Sequence, residues 1–236
     1  MKLILFDVDG TLVDSQDMIY AAMSRAYRDH GLACPPAAEV RSIIGLSLQE
    51  AFRQLAAEAD HPIDNLIASY GKAFSALRHS GEVASPLFPG ARETIARLMQ
   101  RPDLALGIAT GKSRRGIAAI LEQYDLKDAF VTIQTADSAP SKPHPGMVLQ
   151  AMRDSGIEAT STAVVGDTAF DMQMAQAAGA AGIGVAWGYH PVAALQAAGA
   201  RAVVDDFSAL ESMLDRLWPP VSPGNATREN EATNDA

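Results

Sequence analysis

A pair of aspartates at the end of a short apolar run constrains this chain more than any other feature. Asp7 and Asp9 directly follow residues 3–6, Leu-Ile-Leu-Phe, a pattern typical of a buried strand. One carboxylate can attack phosphorus and carry the phosphoryl group, while a second carboxylic acid nearby protonates the departing alkoxide. The pair therefore predicts phosphoryl transfer, with Asp7 as the nucleophile and Asp9 as the acid/base.

The alternative is that the two aspartates only close a strand, with Gly10 making the turn and Thr11 capping a helix. Three further groups favour the chemical interpretation, because each follows another apolar, strand-like run: Thr110-Gly111, Lys142, and Gly166-Asp167 with Asp171 one helical turn later. In an open parallel sheet, the loops at the carboxyl ends of the strands converge on one crevice. We therefore expect a hydroxyl, an ammonium and an acidic cluster to meet Asp7.

The apolar spacing divides the chain into two regions. Residues 16–30, 47–59 and 63–79 show helical spacing, and residues 81–90 are rich in glycine and proline, as expected of a hinge. Beyond residue 90, helical and strand-like segments alternate, which indicates a parallel sheet. The predicted fold class is α/β, with a core at residues 1–15 and 82–218, an inserted all-helical cap at 16–81, and a polar, disordered tail at 219–236.

Composition narrows the classes of partner. The chain has 236 residues, and 48% of them are hydrophobic, which is ample for a buried core. Its net charge of −9 disfavours nucleic acid as a binding partner. No apolar run reaches the ~20 residues of a membrane span, and Met1-Lys2 leads directly into the first strand. We expect a cytoplasmic protein with no membrane partner. A monomer and a homodimer both remain open.

Taken together, the motifs resemble those of the haloacid dehalogenase superfamily in order and spacing. The matching groups are Asp7-x-Asp9-x-Thr11, Thr110, Lys142 and Gly166-Asp167-x-x-x-Asp171. The resemblance covers about residues 1–217. It implies a Rossmann-like core, an aspartyl-phosphate intermediate and Mg²⁺ as cofactor.

The resemblance also implies roles at the phosphoryl group. Lys142 would hold the phosphoryl oxygens and keep Asp7 ionised, whereas a solvated surface lysine is the alternative. Thr110 would offer its hydroxyl to the phosphate, and the N–H of Gly111 could approach closely because no side chain intervenes. A helix cap at Thr110 is compatible with that role.

A metal site is implied at the acidic residues. Asp7, Asp167 and the backbone carbonyl of Asp9 would surround Mg²⁺, a hard cation that prefers oxygen ligands. Asp171 is assigned to the same site, either as a ligand or by orienting the others. The alternative for Asp171 is an exposed acid in the first turn of a helix.

Differences within the superfamily narrow the reaction. Dehalogenases and phosphonate hydrolases lack an acid at the position of Asp9, so its presence favours phosphate esters. The related sugar-phosphate mutases typically carry a histidine where this chain has Ile19 and an arginine where it has Leu48. What remains resembles the phosphoglycolate phosphatase branch, as residues 40–45 and 110–113 also suggest.

We therefore predict a Mg²⁺-dependent phosphomonoester hydrolase acting on a small phosphorylated metabolite, best represented by phosphoglycolate. Arg41 is predicted to hold the substrate carboxylate from a turn between cap helices that also contains Gly45. An arginine that only pairs with Glu39 is an equal alternative. Pyrophosphatase, nucleoside monophosphatase and sugar phosphatase activities remain open, as does a noncatalytic regulatory protein on this fold.

Overall fold

A six-stranded parallel sheet forms the centre of the computed structural model, which describes residues 1–56 and 61–219. Its strands are β1 (Lys2–Phe6), β2 (Leu104–Thr110), β3 (Thr132–Thr135), β4 (Thr162–Gly166), β5 (Ala181–Val185) and β6 (Ala202–Val204). The spatial order is β3-β2-β1-β4-β5-β6, and every neighbouring pair is parallel. The strand order reverses at β1, which is where ligands bind in folds of this type. The predicted α/β fold class is confirmed.

Helices cover both faces of the sheet. The core helices are α5 (Ala91–Met99), α6 (Arg114–Gln123), α7 (Gly146–Ser155), α8 (Ala169–Ala177), α9 (Val192–Ala197) and α10 (Phe207–Leu217). Ile4 and Phe6 belong to the apolar cluster that includes residues of α5, α6 and α10, whereas Leu3 and Leu5 pack with residues of α7 and α8. Because β1 is buried on both faces, its sequence is continuously apolar rather than alternating.

Four helices lie between β1 and α5, in the segment predicted to be a cap, which is called the cap below: α1 (Gln16–Asp29), α2 (Ala37–Ser42), α3 (Leu48–Ala56) and α4 (Ile63–Ser80). Their shared apolar cluster contains Met23, Tyr27, Phe52 and Leu66, all at most 1% exposed. Burial of large side chains of this kind provides most of the stability of a small helical unit.

The structure corrects one prediction in the cap. Residues 37–42, where we expected a turn carrying Arg41, form helix α2. The helix has six residues and begins after Pro36, so it is too short to show a clear 3.6-residue period. The predicted helix end at residues 57–59 lies outside the described residues, and so does the predicted tail beyond residue 219.

The loop between α2 and α3 rests on the core. Its residue Gly45 has a backbone φ angle of 103°, a conformation that residues other than glycine rarely adopt. A side chain at Gly111, in the loop after β2, would overlap the backbone oxygens of Gly45 and Leu46. The backbone N–H of Ser47 also donates a hydrogen bond to Ser141 Oγ at 2.8 Å. The cap loop therefore lies directly over the carboxyl end of the sheet.

No helix within residues 1–56 and 61–219 combines the length and the apolar character needed to cross a membrane.

Candidate active site

The predicted polar side chains lie together beyond the carboxyl edge of the sheet. Phe6 of β1 pairs with Ile108 of β2 and with Val165 of β4, so the residues that follow these positions emerge at one edge. The side chains gathered there are almost wholly buried, each at most 1% exposed: Asp7, Thr110, Lys142, Asp167 and Asp171. Five polar groups in so small a buried volume require one another, or a ligand, as partners.

Lys142 lies between two of the carboxylates. Its Nζ atom is 2.7 Å from Asp7 Oδ1 and 2.6 Å from Asp171 Oδ1. Burial alone would lower the pKa of Lys142, but the charges of Asp171 and Asp7 outweigh it and raise that pKa above its ordinary value. The ammonium therefore stays charged and gives the buried acids a permanent cation.

One cation does not compensate the buried negative charge. Burial raises the pKa of Asp7 to about 7, because loss of water and the nearby Asp171 outweigh the stabilisation by Lys142. Burial, together with the charges of Asp171 and Asp7, raises the pKa of Asp167 well above its ordinary value. These shifts mean that the site would hold its carboxylates ionised more readily around an additional positive charge.

The side-chain geometry fits a bound metal ion. Asp7, Asp167 and Asp171 each offer a carboxylate oxygen, and these oxygens lie within 4.8 Å of one another. Both carboxylate oxygens of Asp7 are buried; Oδ1 is in the ion pair with Lys142, whereas Oδ2 has no hydrogen-bond partner among the described residues. Thr11 Oγ1 donates to Asp167 Oδ1 at 2.9 Å and thereby orients that carboxylate. Oxygen donors of this kind suit Mg²⁺.

Asp171 differs from the other two acids because its oxygens already have donors. Oδ1 accepts from Lys142 at 2.6 Å, while Oδ2 accepts from the backbone N–H of Thr168 at 3.0 Å and from its hydroxyl at 2.6 Å. The reciprocal hydrogen bonds between Thr168 and Asp171 form a capping box at the start of α8. This geometry favours the orienting role for Asp171 and places Lys142 as the group that it orients.

Asp9 faces a cavity and has two partners of its own. Its Oδ1 accepts a hydrogen bond from Ser15 Oγ and lies 2.9 Å from Lys112 Nζ. The Lys112 ammonium also lies 5.0 Å from the ring centroid of Phe74 in α4. Sequence analysis did not single out Lys112, although its position directly after Thr110-Gly111 was a usable signal. The loop after β2 faces the cavity, so the charged side chain of Lys112 lies in the cavity lining.

The loop after β5 supplies further contacts that local sequence patterns did not indicate. Tyr189, after β5, donates its backbone N–H to Asp167 Oδ2 at 2.9 Å, and its hydroxyl accepts from the backbone N–H of Ser15 at 2.9 Å. A side chain at Gly188 would overlap Asp167. The loop after β5 therefore closes over the acidic cluster and also contacts the start of the cap.

Asp7 and Asp9 lie at the base of a cavity of about 810 Å³ between the cap and the core. The core contributes the loop after β2 and the first turn of α6, and the cap contributes α1, the 43–48 segment and α4. Gly45 and Gly111, both predicted as site residues, line this cavity. A phosphorylated ligand in the cavity would place its phosphorus near Asp7.

The structure does not support the role predicted for Arg41. Arg41 is exposed on α2 and lines a separate, small pocket with Asp17 and Tyr20, whereas it is absent from the lining of the large cavity. The reason is that residues 37–42 form a helix, which directs Val40 into the cap core and leaves Arg41 outside. A substrate carboxylate in the cavity would need another partner.

The raised pKa of Asp7 predicts how pH affects the metal-free protein. Asp7 binds its proton in the folded state up to about pH 7, but an ordinary aspartate titrates near 3.8. Folded-state stability is therefore lost as pH rises from ~4 to ~7, by ~2–4 kcal/mol for this group. Urea unfolding of chelator-treated protein at pH 5 and pH 7.5 measures the effect. Asp7→Asn should show a smaller pH dependence, and an unchanged one would contradict the assignment.

Comparison with known proteins agrees with this geometry. The model of the haloacid dehalogenase-like hydrolases matches residues 4–185, so the chain belongs to the haloacid dehalogenase-like hydrolase family. A protein named "probable phosphatase IndB" from Dickeya dadantii is 38% identical over 229 residues, which cover 93% of this chain and 98% of that protein. A phosphoglycolate phosphatase from Pseudomonas putida is 32% identical and is covered to 78%, with 89% of this chain matched.

Solved structures agree as well. A hydrolase from Pseudomonas syringae superposes with a TM-score of 0.80 at 27% identity, covering 92% of this chain and 99% of that one. Within its family, this chain is a phosphatase, and the resemblance found from its motifs is confirmed.

Proposed function

We propose that the chain is a Mg²⁺-dependent phosphomonoester hydrolase that works through an aspartyl phosphate on Asp7. The observation that carries the proposal is the Asp7 carboxylate itself. It is 1% exposed and lines the cavity; its Oδ1 lies 2.7 Å from the Lys142 ammonium, and its Oδ2 has no hydrogen-bond donor among the described residues. A buried carboxylate with free lone pairs beside a fixed cation is suited to attack on an anionic phosphoryl group.

The residues divide the work of the first step. Asp7 attacks phosphorus, Lys142 balances the negative charge of the phosphoryl oxygens, and the alkoxide leaves. Asp9, held in place by Ser15 and Lys112, gives its proton to that alkoxide. A Mg²⁺ ion held by Asp7 and Asp167 would supply further positive charge to the phosphoryl oxygens.

Hydrolysis of the aspartyl phosphate reverses these roles. Asp9, now a carboxylate, removes a proton from the incoming water, because the group that donates a proton in one step is the base in the next. The water attacks phosphorus, the bond to Asp7 breaks, and phosphate is released. Thr110 and the backbone N–H of Gly111 are proposed to bind the phosphoryl oxygens in both steps.

The role of Asp9 is tested by changing the leaving group. In Asp9→Asn, kcat/KM for alkyl phosphates should fall by about 10²- to 10³-fold, since their alkoxides need a proton, whereas kcat/KM for p-nitrophenyl phosphate should fall by less than about 10-fold. Phosphate release in the presence of Mg²⁺ measures both. We compare kcat/KM because it reports formation of the aspartyl phosphate, while the loss of the base for water slows the second step equally for all substrates. The exposed Asp17 in α1 provides a matched control, Asp17→Asn, which should behave as wild type. A uniform loss of kcat/KM across leaving groups would make Asp9 structural.

Phosphoglycolate is the first metabolite to assay, because several relatives carry that name. The small-metabolite proposal does not depend on it, and the alternatives are pyrophosphate, nucleoside monophosphates and sugar phosphates. A noncatalytic regulatory protein would show no Mg²⁺-dependent phosphate release from any of them. Since Arg41 does not line the cavity, other residues of the cavity wall must contact the leaving group.

A further inference from the structure

The size of the cavity is the first indication of which alcohol is released from the phosphate ester. Its volume is about 810 Å³. Cavities of ~300–1,000 Å³ typically enclose ligands the size of a drug molecule. A two-carbon phosphorylated acid would fill only a small part of this space, and most of the wall would touch water.

The wall of the cavity is mainly apolar. Ile67, Gly71, Phe74 and Arg78 of α4 line it at intervals of four, three and four residues, so they share one face of the helix. Tyr70 also lines the cavity, with its ring centroid 5.8 Å from that of Phe74. The apolar lining contributed by α1 and by the 43–48 segment consists of Ile19, Met23, Ile43, Ile44, Leu46 and Leu48.

Gly71 leaves an exposed stretch of helix backbone in this wall. It lies within the 18-residue helix α4, where glycine is less favourable than alanine. A Cβ atom built there has no other atom within 4 Å, so the space in front of the helix backbone is open. A planar ring can lie against this backbone between Ile67 and Phe74 and make an aromatic contact with Phe74.

The cations of the cavity are not arranged for a small acid. The Lys112 ammonium is already paired with Asp9, at 2.9 Å from its Oδ1 atom. The remaining basic residues of the lining lie on α4 and α6, namely Lys72, Arg78, His79 and Arg115. Three of these four residues are exposed. They can attract an anionic ester toward the cavity, but they are not placed to bind a substrate carboxylate beside Asp7.

From these observations we propose that the physiological substrate is a phosphomonoester that carries a bulky, flat ring system, and that the ring packs on α4 at Gly71. This inference rests on the phosphatase function proposed above. The phosphorus lies at Asp7, and the ring fills the apolar part of the cavity. A nucleoside 5′-monophosphate and benzyl phosphate are suitable probes because, like phosphoglycolate, both are esters of primary alcohols.

Wild-type enzyme should give kcat/KM values at least about 10-fold higher for the two ring-bearing esters than for phosphoglycolate. In Gly71→Leu the added side chain occupies the space of the ring. The ratio of kcat/KM for ring-bearing esters to that for phosphoglycolate should therefore fall by about 10- to 100-fold, mainly through KM. Asn65→Leu adds the same side chain at an exposed position of α4 outside the cavity lining, and this control should keep the wild-type ratio.

Two results would overturn the inference. One is a wild-type preference for phosphoglycolate over both ring-bearing esters. The other is an equal effect of Gly71→Leu on all substrates while its thermal unfolding midpoint remains like that of Asn65→Leu. Activity on p-nitrophenyl phosphate, lost in Asp7→Asn, tests the proposed phosphatase function separately. If that activity is present, either of the two results refutes only the proposal of a ring-bearing substrate. If that activity is absent, the phosphatase proposal fails as well.

Discussion

Asp7→Asn is expected to abolish phosphate release from every ester, with kcat lowered by about 10⁴-fold or more. An amide cannot attack phosphorus, and both oxygens of Asp167 and of Asp171 already accept hydrogen bonds, whereas Oδ2 of Asp7 has no donor among the described residues. The effect should therefore be the same for aryl and alkyl phosphates, unlike that of Asp9→Asn. Steady-state kinetics with p-nitrophenyl phosphate and benzyl phosphate measure it.

The variant should remain folded, because asparagine has the shape of aspartate and Lys142 keeps its contact with Asp171 at 2.6 Å. Circular dichroism and the thermal unfolding midpoint establish this. Asp205→Asn, at an exposed aspartate outside the cavity lining, is the matched control and should retain full activity. Asp7→Asn activity within about 10-fold of wild type would remove Asp7 as the nucleophile.

Asp167→Ala should eliminate both the activation by Mg²⁺ and the stabilisation that Mg²⁺ gives to the folded protein. In wild-type protein, Mg²⁺ at 100 times its dissociation constant should raise the free energy of unfolding by ~2.7 kcal/mol. The variant lacks one of the two carboxylates proposed to hold the ion, so its unfolding midpoint should not rise with Mg²⁺. Differential scanning calorimetry and isothermal titration calorimetry detect binding without relying on turnover.

The exposed Asp128 gives a matched control for this experiment, since Asp128→Ala removes a carboxylate that is not part of the acidic cluster. The control should respond to Mg²⁺ as wild type does. Asp167→Ala also removes the hydrogen bonds from Thr11 and Tyr189, so its stability without metal serves as the reference. A normal Mg²⁺-dependent shift in the variant would place the ion elsewhere.

Sequence patterns predicted the structure correctly where a short segment can form only one kind of element. The continuous apolar run before Asp7 predicted a strand buried on both faces, and β1 is such a strand because helices pack on each side of it. The convergence of strand ends in a parallel sheet then predicted that Lys142 and Asp167 would approach Asp7. Those two rules account for the centre of the candidate site.

The remaining contacts depend on how distant elements pack, and no local periodicity records that. The orientation of Arg41 follows from a helix of only six residues, and the approach of Lys112 to Asp9 depends on the loop after β2 facing the cap. The hydrogen bond from Tyr189 to Asp167 joins residues on successive strand ends. Each requires the three-dimensional arrangement before it can be inferred.

The close backbone contact between the Gly111 loop and residues 45–46 bears on how this enzyme could change its substrate during evolution. With no side chain between the two loops, most substitutions there would push the cap away from the nucleophile. Helix α4 has no such restriction at Gly71, which faces open space. Variation along α4 could therefore alter which alcohol is released while the chemistry at phosphorus is inherited unchanged.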